Sequence, residues 1–150
     1  MSLNYNIINV GLSFIMAMGS QEQLIDNIRS LVLEQCDGIE LIYLFGSRAD
    51  NTQNSQSDID IAILGKSKFD SVVRWQWQSK LAIALENDVD LVDLLSASTV
   101  MQNQVIHHGM CIYDAANYAA LFEMQVMSMY QHLNVERADI LKQHMSLANE

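Results

Sequence analysis

The hydrophobic and polar positions along this chain follow two different periodicities, one typical of strands and the other of helices. Isoleucines alternate with acidic or small residues over 57–64, which predicts a strand with one apolar face. The β-branched and aromatic segment 39–45 predicts a strand that runs directly into a Gly-Ser pair. Two further short apolar runs, at 89–95 and 110–113, predict the remaining strands.

Apolar residues recur at helical spacing in the segments between these strands. Ser20 with Gln23 has the pattern of a capping box and predicts a helix over about 21–36. Ser67 with Asp70 has the same pattern. This second capping box predicts a helix over 68–87. A further helix is predicted over 98–108, ending before Gly109. The last predicted helix has Asp114 as its cap and extends to about residue 148, with a break near Asn134.

Helices that alternate with strands predict an α/β (α+β) fold in which helices flank a small sheet. The length of 150 residues corresponds to one domain. We expect residues 20–114 to form this domain. We expect 1–19 to be an N-terminal extension, either packed on the domain or a leader upstream of the true start. Residues 115–150 would be a C-terminal helical extension and a candidate segment for docking a partner.

Charge and cysteine content narrow the function classes. The chain has 18 acidic and 8 basic side chains and a net charge of −10, so it repels phosphate backbones and we expect no direct nucleic-acid partner. A basic protein or a cationic small molecule fits better. Cys36 and Cys111 are far apart, which disfavours a disulfide framework and fits a reducing cytoplasm. The apolar stretch 7–18 is too short to cross a membrane, and no basic residue precedes Arg29 as in a signal peptide.

The candidate chemistry lies where two predicted strands meet. Asp58 and Asp60 are two apart on a strand, so both carboxylates project from one face, about 7 Å apart at their Cα atoms. They repel each other unless a cation lies between them, and Mg²⁺ binds through such carboxylates together with substrate phosphates. Gly46 allows a turn and a close approach of phosphate, and Ser47 offers a hydroxyl and an N–H to phosphate oxygens.

A third carboxylate on a neighbouring strand could complete a site for two metal ions, which suits in-line displacement at phosphorus. The acidic strand around 89–95 offers three candidates. A period of two places Asp88 and Asp90 on one face and Asp93 on the opposite face.

These segments resemble a known family. The segments LFGSRA (44–49), SDIDIAIL (57–64), VDLVDL (89–94) and VIHHGMCIYD (105–114) resemble the DNA polymerase β-like nucleotidyltransferase superfamily, in its minimal nucleotidyltransferase branch. The likeness covers about 21–114 and is greatest to the antitoxins of HEPN/MNT toxin–antitoxin pairs, the MntA type. It implies the nucleotidyltransferase fold, with a small mixed sheet flanked by helices.

The resemblance also implies an activity. Such antitoxins transfer AMP from ATP to a tyrosine hydroxyl of their HEPN ribonuclease toxin and silence it. The chain would then be a Mg²⁺-dependent protein adenylyltransferase of the cytoplasm, with two Mg²⁺ ions and with ATP as co-substrate. The cognate HEPN-family toxin would be its partner, and the chain could also form a homo-oligomer.

Residue by residue, the resemblance assigns two groups. Ser47 would hold the nucleotide phosphates while Gly46 shapes the turn, and Arg48 would contact a phosphate or form a structural ion pair. The metal-binding and catalytic carboxylates would be Asp58, Asp60 and Asp90, with Asp90 helping to activate the acceptor hydroxyl.

Three points stay open at this stage. Asp88 and Asp93 compete with Asp90 for the third carboxylate. Lys66 and Lys68 either help to hold the triphosphate or are simply solvated. The alternatives in function are a non-catalytic acidic antitoxin that binds a basic toxin directly, and a nucleotidyltransferase for a cationic small molecule such as an aminoglycoside. Enzymes of the latter kind usually carry a further substrate-binding domain, and the segment after Asp114 is short for one.

Overall fold

A computed structural model describes residues 5–48 and 57–147 of the chain. The predicted loop 50–56 lies outside the described residues, as does the side chain of Arg48. The elements are α1 (Tyr5–Gln35), β1 (Ile39–Phe45), a 3₁₀ turn (Gly46–Arg48), β2 (Ile59–Gly65), α2 (Ser71–Leu85), β3 (Val89–Asp93), α3 (Thr99–His108), β4 (Met110–Asp114) and α4 (Ala119–Leu147).

The four strands form one mixed sheet in the order β3-β2-β1-β4. Strand β1 lies between β2 and β4 and is antiparallel to both, whereas β2 and β3 are parallel. The mixed sheet flanked by helices confirms the predicted fold class. Because β1 is antiparallel to β2 and β2 is parallel to β3, the end of β1 and the starts of β2 and β3 meet at one end of the strands.

Helices cover both faces of the sheet, and each face has its own apolar cluster. Ile59, Ile61 and Ile63 pack with residues of α1 and α2, whereas Ala62 and Leu64 pack with residues of α3 and α4. The prediction that β2 has one apolar face was therefore wrong beyond Asp60. The small side chain at position 62 does not show from the sequence alone whether that face of the strand is buried. The second helical layer buries it completely.

Helix α1 begins earlier than the capping box predicted. It runs without interruption from Tyr5 through Ser20 to Gln35, so the predicted start at residue 21 was wrong. Extending an existing helix adds a hydrogen bond for each residue fixed, whereas a new helix must first be nucleated. The helix also crosses the boundary expected between 1–19 and 20–114.

Helix α2 begins at Ser71 instead of residue 68, because Asp70 alone caps it. The Asp70 carboxylate accepts hydrogen bonds from the backbone N–H of Val72 (2.9 Å) and of Val73 (3.2 Å). The backbone N–H of Phe69 is used elsewhere and donates to Asp93 at 3.1 Å. The predicted role of Ser67 as the cap was therefore wrong.

Helix α4 follows the Asp114 cap after a short turn. The Asp114 carboxylate accepts hydrogen bonds from the backbone N–H of Tyr118 (2.8 Å) and of Ala119 (3.1 Å). The helix continues through Asn134 to Leu147, so the predicted break was wrong. A single asparagine costs less than about 0.7 kcal/mol of helix propensity, which does not interrupt a helix on its own.

Among the described residues, none of the helices has both the length and the mean hydropathy that a bilayer crossing requires.

Candidate active site

The turn after β1 brings the backbone against an acidic side chain. Gly46 has φ of +70°, which favours glycine, and a Cβ built on it would overlap the Asp60 carboxylate. Ser47 is half-buried in the same turn, and Arg48 closes it. The sequence feature Gly46-Ser47 therefore lies directly beside Asp60, where a larger residue at position 46 would not fit.

The sheet register brings two of the predicted carboxylates together. Asp60 lies opposite Phe45 on β1 and opposite Asp90 on β3. Asp58 comes two residues before Asp60, just ahead of the first residue of β2. Asp60 is half-buried between its neighbours, whereas Asp58 and Asp90 are exposed. The exposed pair leaves the site open to solvent on one side.

The charges of Asp58 and Asp90 both act on Asp60. Burial raises the pKa of Asp60 above its ordinary value, and the negative charges of Asp90 and Asp58 raise it further. A cation bound beside Asp60 would offset the repulsion from these neighbouring charges. The donor set therefore fits a hard divalent cation, which prefers carboxylate oxygens. Within residues 5–48 and 57–147, no three acidic, histidine or cysteine side chains are gathered closely enough to form a metal site by themselves.

Comparison with known proteins shows the family of this chain. Residues 26–118 match the family described as polymerase beta, nucleotidyltransferase. The chain belongs to this nucleotidyltransferase family. It is 44% identical over 126 residues to the protein adenylyltransferase MntA of Shewanella oneidensis, with 83% of this chain and 91% of that protein covered.

Solved structures of toxin–antitoxin assemblies resemble this nucleotidyltransferase. One is a crystal structure of a toxin–antitoxin with AMP-PNP, with 44% identity, a TM-score of 0.73, and coverage of 81% of this chain and 98% of that one. Another is a tri-AMPylated Shewanella oneidensis HEPN toxin in complex with its MNT antitoxin. There the identity is 41%, the TM-score is 0.70, and 83% of this chain and 98% of that one are covered.

The structure also separates Asp90 from its two competitors. Asp93 is 3% exposed, and its carboxylate accepts hydrogen bonds from Phe69 N–H, from Leu95 N–H and from the Ser96 hydroxyl (2.6 Å). These hydrogen bonds use the Asp93 carboxylate to stabilise the end of β3. Asp88 is exposed in the turn before β3, and its charge does not contribute to the raised pKa of Asp60. Among these three, the carboxylate whose charge acts on Asp60 is that of Asp90.

Lys66 and Lys68 lie at the wrong end of the sheet to hold a triphosphate beside Asp60. Lys66 follows the last residue of β2, whereas Asp60 is near its first. At about 3.3 Å per residue, the strand separates the two by roughly 20 Å. These lysines are close to the acidic strand in sequence. They are far from Asp60 in space, because the whole length of β2 lies between them.

Two residues near the site were missed by the sequence analysis. Arg74 and Gln78 of α2 both bond to the backbone of Leu91, the residue after Asp90. The contact depends on how α2 packs against the outer strand, so no local sequence pattern indicates it.

Proposed function

We propose that this chain is an antitoxin that transfers AMP from ATP to a tyrosine hydroxyl of a cognate HEPN-family ribonuclease toxin. The observation that carries the proposal is that Asp60 lies against the Gly46 turn and opposite Asp90 on β3, with Asp58 two residues before it. The 44% identity to a protein adenylyltransferase supports the choice of a protein as acceptor. The cytoplasm is the proposed location, because it supplies ATP and keeps Cys36 and Cys111 reduced.

In this reaction the tyrosine oxygen forms a bond to the α-phosphorus of ATP, the bond to the β-phosphate bridging oxygen breaks, and pyrophosphate leaves. We assign Asp58, Asp60 and Asp90 as the residues that would hold Mg²⁺, two ions in all, which would neutralise the phosphate charge. Asp90 accepts the proton of the attacking hydroxyl. Ser47 and the backbone of the Gly46 turn bind the phosphates, and Arg48 is assigned to the same group. Catalysis on this scheme is positioning and electrostatic stabilisation.

The test is transfer of label from α-³²P-ATP to the purified toxin with Mg²⁺. We expect labelled toxin with the wild-type chain and about 10²–10³-fold less with Asp60→Asn, which keeps the size of the side chain. Asp88→Asn is the matched control, since Asp88 is exposed in the adjacent turn, and it should retain transfer. Equal labelling by wild type and Asp60→Asn would contradict the proposal.

Direct binding without catalysis is the second candidate, favoured by the net charge of −10, which suits a basic partner. It predicts that Asp60→Asn still inhibits the ribonuclease activity of the toxin when the two are mixed without ATP. The adenylyltransferase predicts that this inhibition requires ATP and an intact Asp60. An RNA cleavage assay on the same mixtures separates the two.

We further propose that α4 docks the toxin through its outer half. Leu141 and Met145 are one helical turn apart on this helix and 63% and 70% exposed. Paired substitution of both to Asp should weaken toxin binding in a pull-down without changing the melting temperature, because neither side chain is buried. Gln143→Asp, also exposed on this segment, is the control for added charge. Unchanged binding by the double variant would contradict this docking surface.

A further inference from the structure

We propose that Arg74 and Gln78 are positioning residues that aim Asp90 by holding the backbone of Leu91. Among the strands that the structure describes, β3 is at the edge of the sheet and has β2 as its one neighbour. On the open side, Arg74 Nη1 donates a hydrogen bond to the Leu91 carbonyl oxygen at 2.6 Å. The Leu91 N–H donates to Gln78 Oε1 at 3.1 Å. The significance for catalysis rests on the proposed function.

The two contacts act as one clamp. Residues four apart on a helix lie on one face, so Arg74 and Gln78 reach the same strand residue from successive turns of α2. One takes the carbonyl of Leu91 and the other takes its N–H, which satisfies both outward backbone groups of that residue. The Leu91 side chain is meanwhile fully buried in the core. Leu91 is thereby fixed by its side chain and by both of its polar backbone groups.

Asp90 is paired with β2 on one side, and the clamp holds the next residue of the strand on the other side. Its side chain is exposed, and its carboxylate accepts no hydrogen bond from any residue that the structure describes. The backbone position from which this carboxylate extends is therefore fixed by the pairing of Asp90 with Asp60 on β2 and by the clamped Leu91 that follows it. Asp93 anchors the strand as well, but three residues further on.

A purely structural role would be protection of the open sheet edge, since unpaired strand edges promote association between chains. That role predicts a loss of stability or solubility and no change in the site of the folded protein. The positioning role predicts a change in the site while the protein remains folded. Binding of a metal ion to the three carboxylates distinguishes the two, because it depends on where Asp90 points.

The experiment measures Mn²⁺ affinity by electron paramagnetic resonance on the full chain in the presence of ATP, at a temperature well below unfolding. Arg74→Met and Gln78→Met keep most of the side-chain length and remove the polar contacts. Loss of a residue that orients a metal ligand typically weakens metal binding about 10- to 100-fold, and we expect that range for both variants. Arg74→Lys keeps a donor and should recover part of the affinity.

The chain offers matched controls on the same helix. Gln76→Met and Lys80→Met make the same chemical changes at exposed positions whose side chains form no hydrogen bond with β3 among the described contacts. Both controls should bind Mn²⁺ like wild type. If Arg74→Met and Gln78→Met bind Mn²⁺ as wild type does, the proposal is overturned, whatever their melting temperatures.

Label transfer to the toxin, measured on the same variants, keeps this proposal distinct from the proposed function. A wild-type chain that binds Mn²⁺ but labels no toxin would refute the adenylyltransferase, while the Mn²⁺ comparison would still decide the clamp. If the wild type labels toxin, the clamp predicts that both Met variants need more Mg²⁺ for half-maximal transfer. A requirement identical to that of wild type would overturn the proposal.

Discussion

The site depends, at the scale of single residues, on a contact between a glycine and a carboxylate. Gly46 leaves the space that Asp60 occupies, and Asp60 lies between the turn on one side and Asp90 on the other. Its raised pKa follows from burial and from the two neighbouring charges. Space and charge at this position are thus controlled by different residues and can be tested separately.

Gly46→Ala tests the space. The positive φ alone costs a residue with a Cβ about 1–2 kcal/mol, so urea unfolding should show a loss of at least that size, and toxin labelling should fall because Asp60 is displaced. Gly19→Ala is the control: Gly19 lies in α1 with open space around it, and the change should stabilise the helix by about 0.5–1 kcal/mol. Equal stability of the two variants would contradict this account.

Asp60→Asn tests the charge. Folding raises the pKa of Asp60, so its ionisation disfavours the folded state. The contribution of this one group to stability is therefore most favourable below the ordinary pKa of about 3.9 and is lost as pH rises through the raised pKa. Without divalent cations, the melting temperature of the Asn variant should therefore gain on that of wild type as pH rises from below that value to neutrality. Backbone hydrogen bonds lower the pKa of Asp114, which changes stability with pH in the opposite direction. This effect is the same in wild type and in the Asn variant, so it cancels in the comparison. A difference that stays constant with pH would refute the assignment.

At the scale of elements, local pattern predicted what kind of element forms better than where it begins. The strand 39–45 was predicted with the bounds that it has, because β-branched and aromatic residues fill it and turn residues flank it. The starts of α1 and α2 were misplaced, because an N-terminal capping sequence acts only where a helix begins. No helix begins at Ser20, which lies inside α1. After Ser67 the chain stays non-helical up to Asp70, and the Phe69 N–H donates to Asp93 on β3.

Asp70→Ala therefore should destabilise the protein, and Ser67→Ala should not. Loss of a capping side chain costs about 1 kcal/mol, which urea unfolding can measure. Ser67 is exposed, and within the described residues its side chain caps no helix, so the matched change there should lie within about 0.5 kcal/mol of wild type. A larger loss at Ser67 than at Asp70 would mean that the helix starts where the sequence suggested.

At the scale of the whole molecule, the acidic character and the layered fold impose one requirement together. A chain with a net charge of −10 repels ATP, and the carboxylates of Asp58, Asp60 and Asp90 add to that repulsion locally. We therefore expect nucleotide binding beside these carboxylates to need divalent cations that bridge phosphate and carboxylate. The expected ligand of the folded chain is the metal–nucleotide complex and not free ATP.

Thermal unfolding measures this requirement. A ligand at a hundred times its dissociation constant stabilises the folded state by about 2.7 kcal/mol, so Mg²⁺ with ATP should raise the melting temperature clearly, and ATP with EDTA should not. The double variant Asp58→Asn/Asp60→Asn should lose the shift. A similar shift with ATP in EDTA would place the nucleotide away from these carboxylates.

The sequence alone was sufficient to predict the strand–turn–strand segment that carries the Gly-Ser pair and the alternating aspartates. Strand periodicity and turn preferences depend on residues close together in the chain. The pairing of β2 with β3, which sets Asp90 opposite Asp60, was not evident in that order, and neither was the burial of Asp93 nor the clamp of α2 on Leu91. These depend on which surfaces the two helical layers cover. Contacts between segments distant in the chain form only when the whole core packs, so they follow from the folded arrangement and not from any one segment.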